Sequence, residues 1–127
     1  MSAHQHDRPV YLSLTQFKFP VTAIASIAHR ITGMLLFVGI AYLLWLLSVA
    51  LASPAGFAQA AAALEAPFAK LVLWGVLVML AYHVLAGVKH LIMDFHIGDS
   101  FEAASASAYA VFGLTAVLAV LTGVWLW

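Results

Sequence analysis

The chain has 127 residues, 65% of them hydrophobic, and its five basic and five acidic side chains cancel to a formal net charge of zero. So little charge excludes an ordinary soluble domain, in which about a quarter of residues are charged, and the balance offers no basic patch for nucleic acid. With no cysteine, the chain has no disulfide, thiolate nucleophile or cysteine-ligated zinc or iron–sulfur centre.

The opening MSAHQHDRPVYLSLTQFKFP is polar and mixed. It lacks the basic n-region, short apolar core and small-residue cleavage site of a secretory signal, and Asp7 with few arginines argues against a transit peptide. Segment 1–21 is therefore expected to be retained as a cytoplasmic stretch, and His4 and His6 within it are given no role. Three uncharged runs follow: Ile31 to Leu64, Leu71 to Val88 (interrupted only by His83) and Ala103 to Trp127. A helix needs roughly 20 apolar residues to cross a bilayer core of about 30 Å, and open sheets cannot span it. The expectation is an all-α integral membrane protein, a single domain over 1–127 with three transmembrane helices at about 22–51, 68–93 and 104–127. Pro20 opens the first helix, Ser53-Pro54-Ala55-Gly56 reads as a turn that ends it, Pro67 precedes the second, and HIGDS at 96–100 separates the last two. The alanine-rich run 58–66 is suited to a short surface helix.

Arg8, Lys18 and Arg30 precede or open the first span and Lys89 lies between the second and third, whereas only Lys70 flanks the other side. The positive-inside rule then puts the N-terminus and the 89–102 loop in the cytoplasm, with Trp125 and Trp127 at the opposite interface. Counting ~20 residues back from Leu51 places Ser26, His29 and Arg30 at the cytoplasmic border. His90 falls at the same border, and His83 lies ~10 Å deeper, at ~1.5 Å per residue.

His83 and His90 share one helical stripe, but at ~10 Å apart they cannot both hold one metal ion through bonds of ~2 Å. A planar cofactor is different: one histidine can ligate its centre while groups nearer the border meet its charged edge. Gly87, on the same stripe, leaves space for a flat ring, and haem fits this pattern. No second histidine is expected at the depth of His83, so a further axial ligand has to come from another chain. A helix-bridging hydrogen bond explains an intramembrane histidine equally well. Lys89 and His90 read as interface residues and His96 as a solvated loop residue. Ser26 and Arg30, at i and i+4, share a second face that Gly33 extends. By spacing alone they suit a phospholipid head group better than a carbonyl of a lipid-soluble ligand, but their depth beside the edge of such a haem favours a ligand role.

RPVYLSLTQFKFPVTAIASIAHRITG (8–33), with its RP pair and S-x-x-H-R-x-T, resembles the N-terminal signature of the cytochrome b556 membrane-anchor family of succinate dehydrogenase. HVLAGVKHLIMDF (83–95) resembles the second signature of that family, H-x-x-x-G-x-[RK]-H followed by Asp94. The connecting SPAGFAQA and the ending GVWLW extend the resemblance over essentially the whole chain. His96 departs from it, standing where the family usually has glycine. The resemblance implies a three-helix half of a heterodimeric anchor in a bacterial inner (cytoplasmic) membrane. It implies pairing with a second membrane anchor, and docking of iron–sulfur and flavoprotein subunits on the cytoplasmic side. It further implies a haem b between the two anchors, with His83 as one axial ligand to the iron and a histidine of the second anchor as the other. Ser26 and Arg30 then match the ubiquinone site, and His29, Arg30 and His90 the surroundings of the haem propionates. By the same resemblance, succinate is expected to be oxidised at a flavin elsewhere, this chain taking part in electron transfer and quinone binding only. A related quinol:fumarate reductase, a haem-free structural anchor and a small transporter are the rival readings. Thr115 and Thr122, the main polar residues of span three, offer little toward a transport path.

Overall fold

Two prolines and two serines set the helix starts. In the computed structural model, which describes residues 19–127, Pro20 is the extended N-cap of α1 (Val21–Ala52). The first 18 residues, including Arg8, Lys18, His4 and His6, lie outside the described residues. Ser53 caps α2 (Pro54–Glu65) by accepting a 2.9 Å hydrogen bond from the Gly56 N–H, with Pro54 in the first turn. Ser53-Pro54-Ala55-Gly56 therefore ends one helix and starts the next at once: a serine cap followed by proline is a helix start as much as a turn. A Cβ on Gly56 would collide with the Val49 carbonyl oxygen, so only glycine permits so tight a corner.

Pro67 occupies the first turn of α3 (Pro67–Asp94), and a Lys70–Glu65 ion pair of 3.0 Å bridges the α2–α3 break. Ser100 caps α4 (Phe101–Leu126), with Glu102 favourably placed in its first turn. The α3–α4 connection contains His96 at φ 58°, in the left-handed region, and its N–H donates to the Met93 carbonyl at 2.9 Å. His96 thus adopts the glycine-like conformation that commonly closes a helix. Its side chain is 90% exposed, as a solvated loop residue should be.

Helices α1, α3 and α4 are each long and apolar enough to cross a membrane. At 32 residues α1 is ~48 Å long, well beyond a ~30 Å hydrocarbon core. Their large side chains point outward all round: Phe37 is 80% exposed and Trp125 77%. What lies inside is mostly small or slender, including Ala25, Ala86, Ala104, Ala108, Val76 and Val111. This is the packing of helices in lipid, where close approach rather than expulsion of water holds segments together. Helix α4 packs chiefly on α3, α1 contacts both, and α2 lies along the end of α1. Trp74 reaches across from α3 to donate its indole N–H to the Ala119 carbonyl of α4 at 2.8 Å.

Candidate functional site

The polar residues that an apolar chain can least afford converge on one layer between the start of α1 and the second half of α3. Tyr82 and His83 are consecutive on α3, and both reach backbone carbonyls of α1. The Tyr82 hydroxyl donates to the Ala25 carbonyl at 2.6 Å, and its ring stacks on Phe112 of α4 at a centroid distance of 5.4 Å. One turn further along α1, His83 Nδ1 lies 3.0 Å from the His29 carbonyl oxygen and 3.1 Å from Thr32 Oγ1. The Thr32 hydroxyl in turn donates to that same carbonyl at 3.0 Å.

A carbonyl oxygen only accepts, so the proton of a neutral His83 belongs on Nδ1. Its Nε2 then carries the lone pair, and this atom has no hydrogen-bond partner among the described residues. The ring of His29 stacks on that of His83, centroids 3.9 Å apart and planes within 8°. The ring of His90 is nearly parallel to that of His29, its plane within 11°, at a centroid distance of 6.0 Å. Three imidazoles thus share one orientation.

This corrects the depths counted along each helix separately. His29 was expected at the border and His83 without a histidine at its level, yet the two rings are in contact. Residue counting fixes position along one helix only, whereas the stagger of α1 against α3 decides which residues lie level. A Cβ at Gly87 would stand in ordinary contact, 3.5 Å, with His29 Nε2, so Gly87 lies beside the same imidazoles. Imidazole lone pairs lie in the ring plane, so two stacked rings cannot face each other across one iron.

Gly33 belongs to this layer as well, since a Cβ at that position would stand 2.9 Å from His83 Cε1. Ser26 is half-buried and Arg30 exposed, on the flank of α1 beside the histidines. Arg30 forms no ion pair among the described residues. Lys89 turns the other way, donating to Met93 Sδ at 3.4 Å along a groove between α3 and α4. Sequence reasoning missed Tyr82 and Thr32. The signal for Thr32 was its place three residues after His29, on the same face.

The sequence model of the succinate dehydrogenase/fumarate reductase transmembrane subunit matches residues 4–122. The chain belongs to this family. It is 40% identical to the succinate dehydrogenase cytochrome b556 subunit of Coxiella burnetii, over 94% of this chain and 97% of the relative. Against the protein of the same name from Paracoccus denitrificans it is 39% identical, over 91% of this chain and 89% of the relative. The mitochondrial cytochrome b560 subunit of Dictyostelium discoideum is 32% identical, over 90% of this chain and 60% of that longer protein. As a succinate dehydrogenase/fumarate reductase transmembrane subunit, with three helices of membrane-spanning length, the chain is a multi-pass membrane component of a larger complex.

Proposed function

We propose that this chain is the haem-carrying membrane anchor of a succinate:quinone oxidoreductase. His83 binds the iron of haem b, and Ser26 and Arg30 form part of the site where ubiquinone is reduced. The observation that carries this reading is the state of His83: Nδ1 is bonded to the His29 carbonyl, so Nε2 is left as a metal-ready donor on the surface of the α1–α3 pair. The donor set suits haem. A neutral imidazole backed by a carbonyl is the usual arrangement of a metal-binding histidine, and the relatives carry the name cytochrome b.

Haem b would supply a one-electron store close to the quinone, its iron alternating between ferric and ferrous. The rest falls to the chain's own side chains. His83 would hold the cofactor from this chain, and the family resemblance implies that a histidine of the second membrane anchor would hold it as well. His29 and His90, parallel and beside His83, together with Arg30, would meet the acidic edge of the cofactor. Electrons reach the cytoplasmic border from the iron–sulfur subunit, which receives them from the flavoprotein. There Ser26 donates a hydrogen bond to one quinone oxygen. Arg30 orients the head group and stabilises negative charge on its oxygen as electrons arrive, by a charge-assisted hydrogen bond. A fixed guanidinium aimed at that oxygen needs no reorganisation during the step, and two protons complete the quinol. The N-terminus and the α3–α4 loop face the cytoplasm of a bacterial inner membrane. The family also embraces fumarate reductases, and the same residues would serve quinol oxidation.

The test is a dithionite-reduced minus oxidised absorbance spectrum of the purified complex, for the natural chain and for His83→Leu. A b-type α-band that disappears or changes in the variant, with the complex still assembled, is the expected result. No band in the natural complex would leave a haem-free anchor, with His83 only a bridge between helices.

A further inference from the structure

We propose that Thr32 is a positioning residue for His83. Its hydroxyl, acting with the His29 carbonyl, holds the imidazole in one tautomer and one rotation so that Nε2 points its lone pair at the iron. This inference rests on the haem reading above.

The argument starts from three atoms. His83 Nδ1, the His29 carbonyl oxygen and Thr32 Oγ1 form a closed triangle with sides of 3.0, 3.0 and 3.1 Å. The hydroxyl has one hydrogen, and it donates that hydrogen to the carbonyl. Lone pairs of the threonine oxygen therefore face the His83 N–H, which is shared between two acceptors. Threonine suits the task because its branched Cβ is stiff and its hydroxyl readily bonds the carbonyl three residues back. The helix itself thereby fixes where Oγ1 stands. A serine keeps the hydroxyl with a freer rotamer; valine and alanine remove it.

Two neighbours on the same stretch of α1 complete the grip. The His29 ring covers one face of the His83 imidazole at 3.9 Å. Gly33 lies against Cε1 so closely that any side chain there would displace the ring. One turn of α1 therefore meets the face, the Nδ1 edge and the Cε1 corner of His83, and Nε2 is left to the ligand.

Hydrogen bonding at Nδ1–H pushes electron density through the ring and makes Nε2 a stronger donor, which favours ferric over ferrous iron. Loss of one acceptor from the fork should raise the midpoint potential. It should also let the ring rotate, broadening the reduced α-band.

The experiment is a redox titration followed at the α-band, on the whole assembled complex carrying Thr32→Ser, Thr32→Val or Thr32→Ala. Thr32→Ser should titrate with the natural complex. The two hydroxyl-free variants should retain haem but favour ferrous iron by up to about tenfold, or about 59 mV for one electron. A hydroxyl-free variant with natural potential and band shape would overturn the proposal. Failure of both to assemble, while Thr32→Ser assembles, would overturn it too, marking the bond as structural. A natural complex without any α-band would instead remove the haem reading itself.

Discussion

The two halves of the α1–α3 seam are built on different principles. Toward the start of α1, the contact is polar: Tyr82 and His83 bond to carbonyls four residues apart, and imidazoles stack at 3.9 Å. Toward the far end, the same two helices meet through shape alone, Gly39 receiving Val76 and Leu36 and Leu46 buried alongside. The polar side-chain links of that half leave the seam, the Trp74 indole bonding to α4 and Lys70 pairing with Glu65 of α2. Buried polar groups cost free energy unless they are paired, so a chain with 8% charged residues pairs those of this seam within one layer. If the proposed site is right, exchanges in the apolar half should act on stability and exchanges in the polar half on function first.

Arg30→Ala should give the largest effect and belongs wholly to the polar end. Quinone reduction is expected to fall on the order of 10²-fold, while succinate oxidation with a soluble dye continues. Equal loss of both activities would count against a quinone-site role. Gly39→Ala probes the opposite end: its Cβ would approach Val76 Cγ2 to 2.9 Å, and overpacking of this kind costs about 1–3 kcal/mol. A lower unfolding midpoint in detergent with an unchanged haem spectrum would sharpen the distinction between the halves, whereas a shifted spectrum would break it.

Trp74→Phe removes the hydrogen bond from the apolar half to α4 and should cost about 0.6–1 kcal/mol, read from the same midpoint. Smallest is His96→Gly. With φ at 58° the histidine sits in a region disfavoured by about 1–2 kcal/mol for side-chain-bearing residues. Glycine relieves this but loses more chain entropy on folding, so a net gain below about 1 kcal/mol is expected. A large loss would mean that the exposed 3.3 Å contact of His96 with Asp99 matters more than the backbone.

Much of the helical framework was legible in the sequence. The uncharged runs, Pro20, Pro67 and the HIGDS break led to three spans within about three residues of α1, α3 and α4. Such features are local, because hydropathy and capping act over a few neighbouring residues. The short surface helix was also legible, although Ser53-Pro54 begins it earlier than the alanine run suggested. The shared stripe of His83 and His90 followed from helical periodicity alone.

Which faces meet was a different matter. In helices that are apolar on every side, no polar–apolar contrast marks the inner face, so the sequence by itself determined the spans and the spacing of the histidines along each. Only the tertiary structure decided that His29 stacks on His83, that Gly33 makes room for His83, and that Thr32 stands against Nδ1. Those pairings depend on the stagger and rotation of α1 against α3. Close approach at small residues and the need to pair every buried polar atom select that arrangement, and both are properties of two helices together rather than of either one.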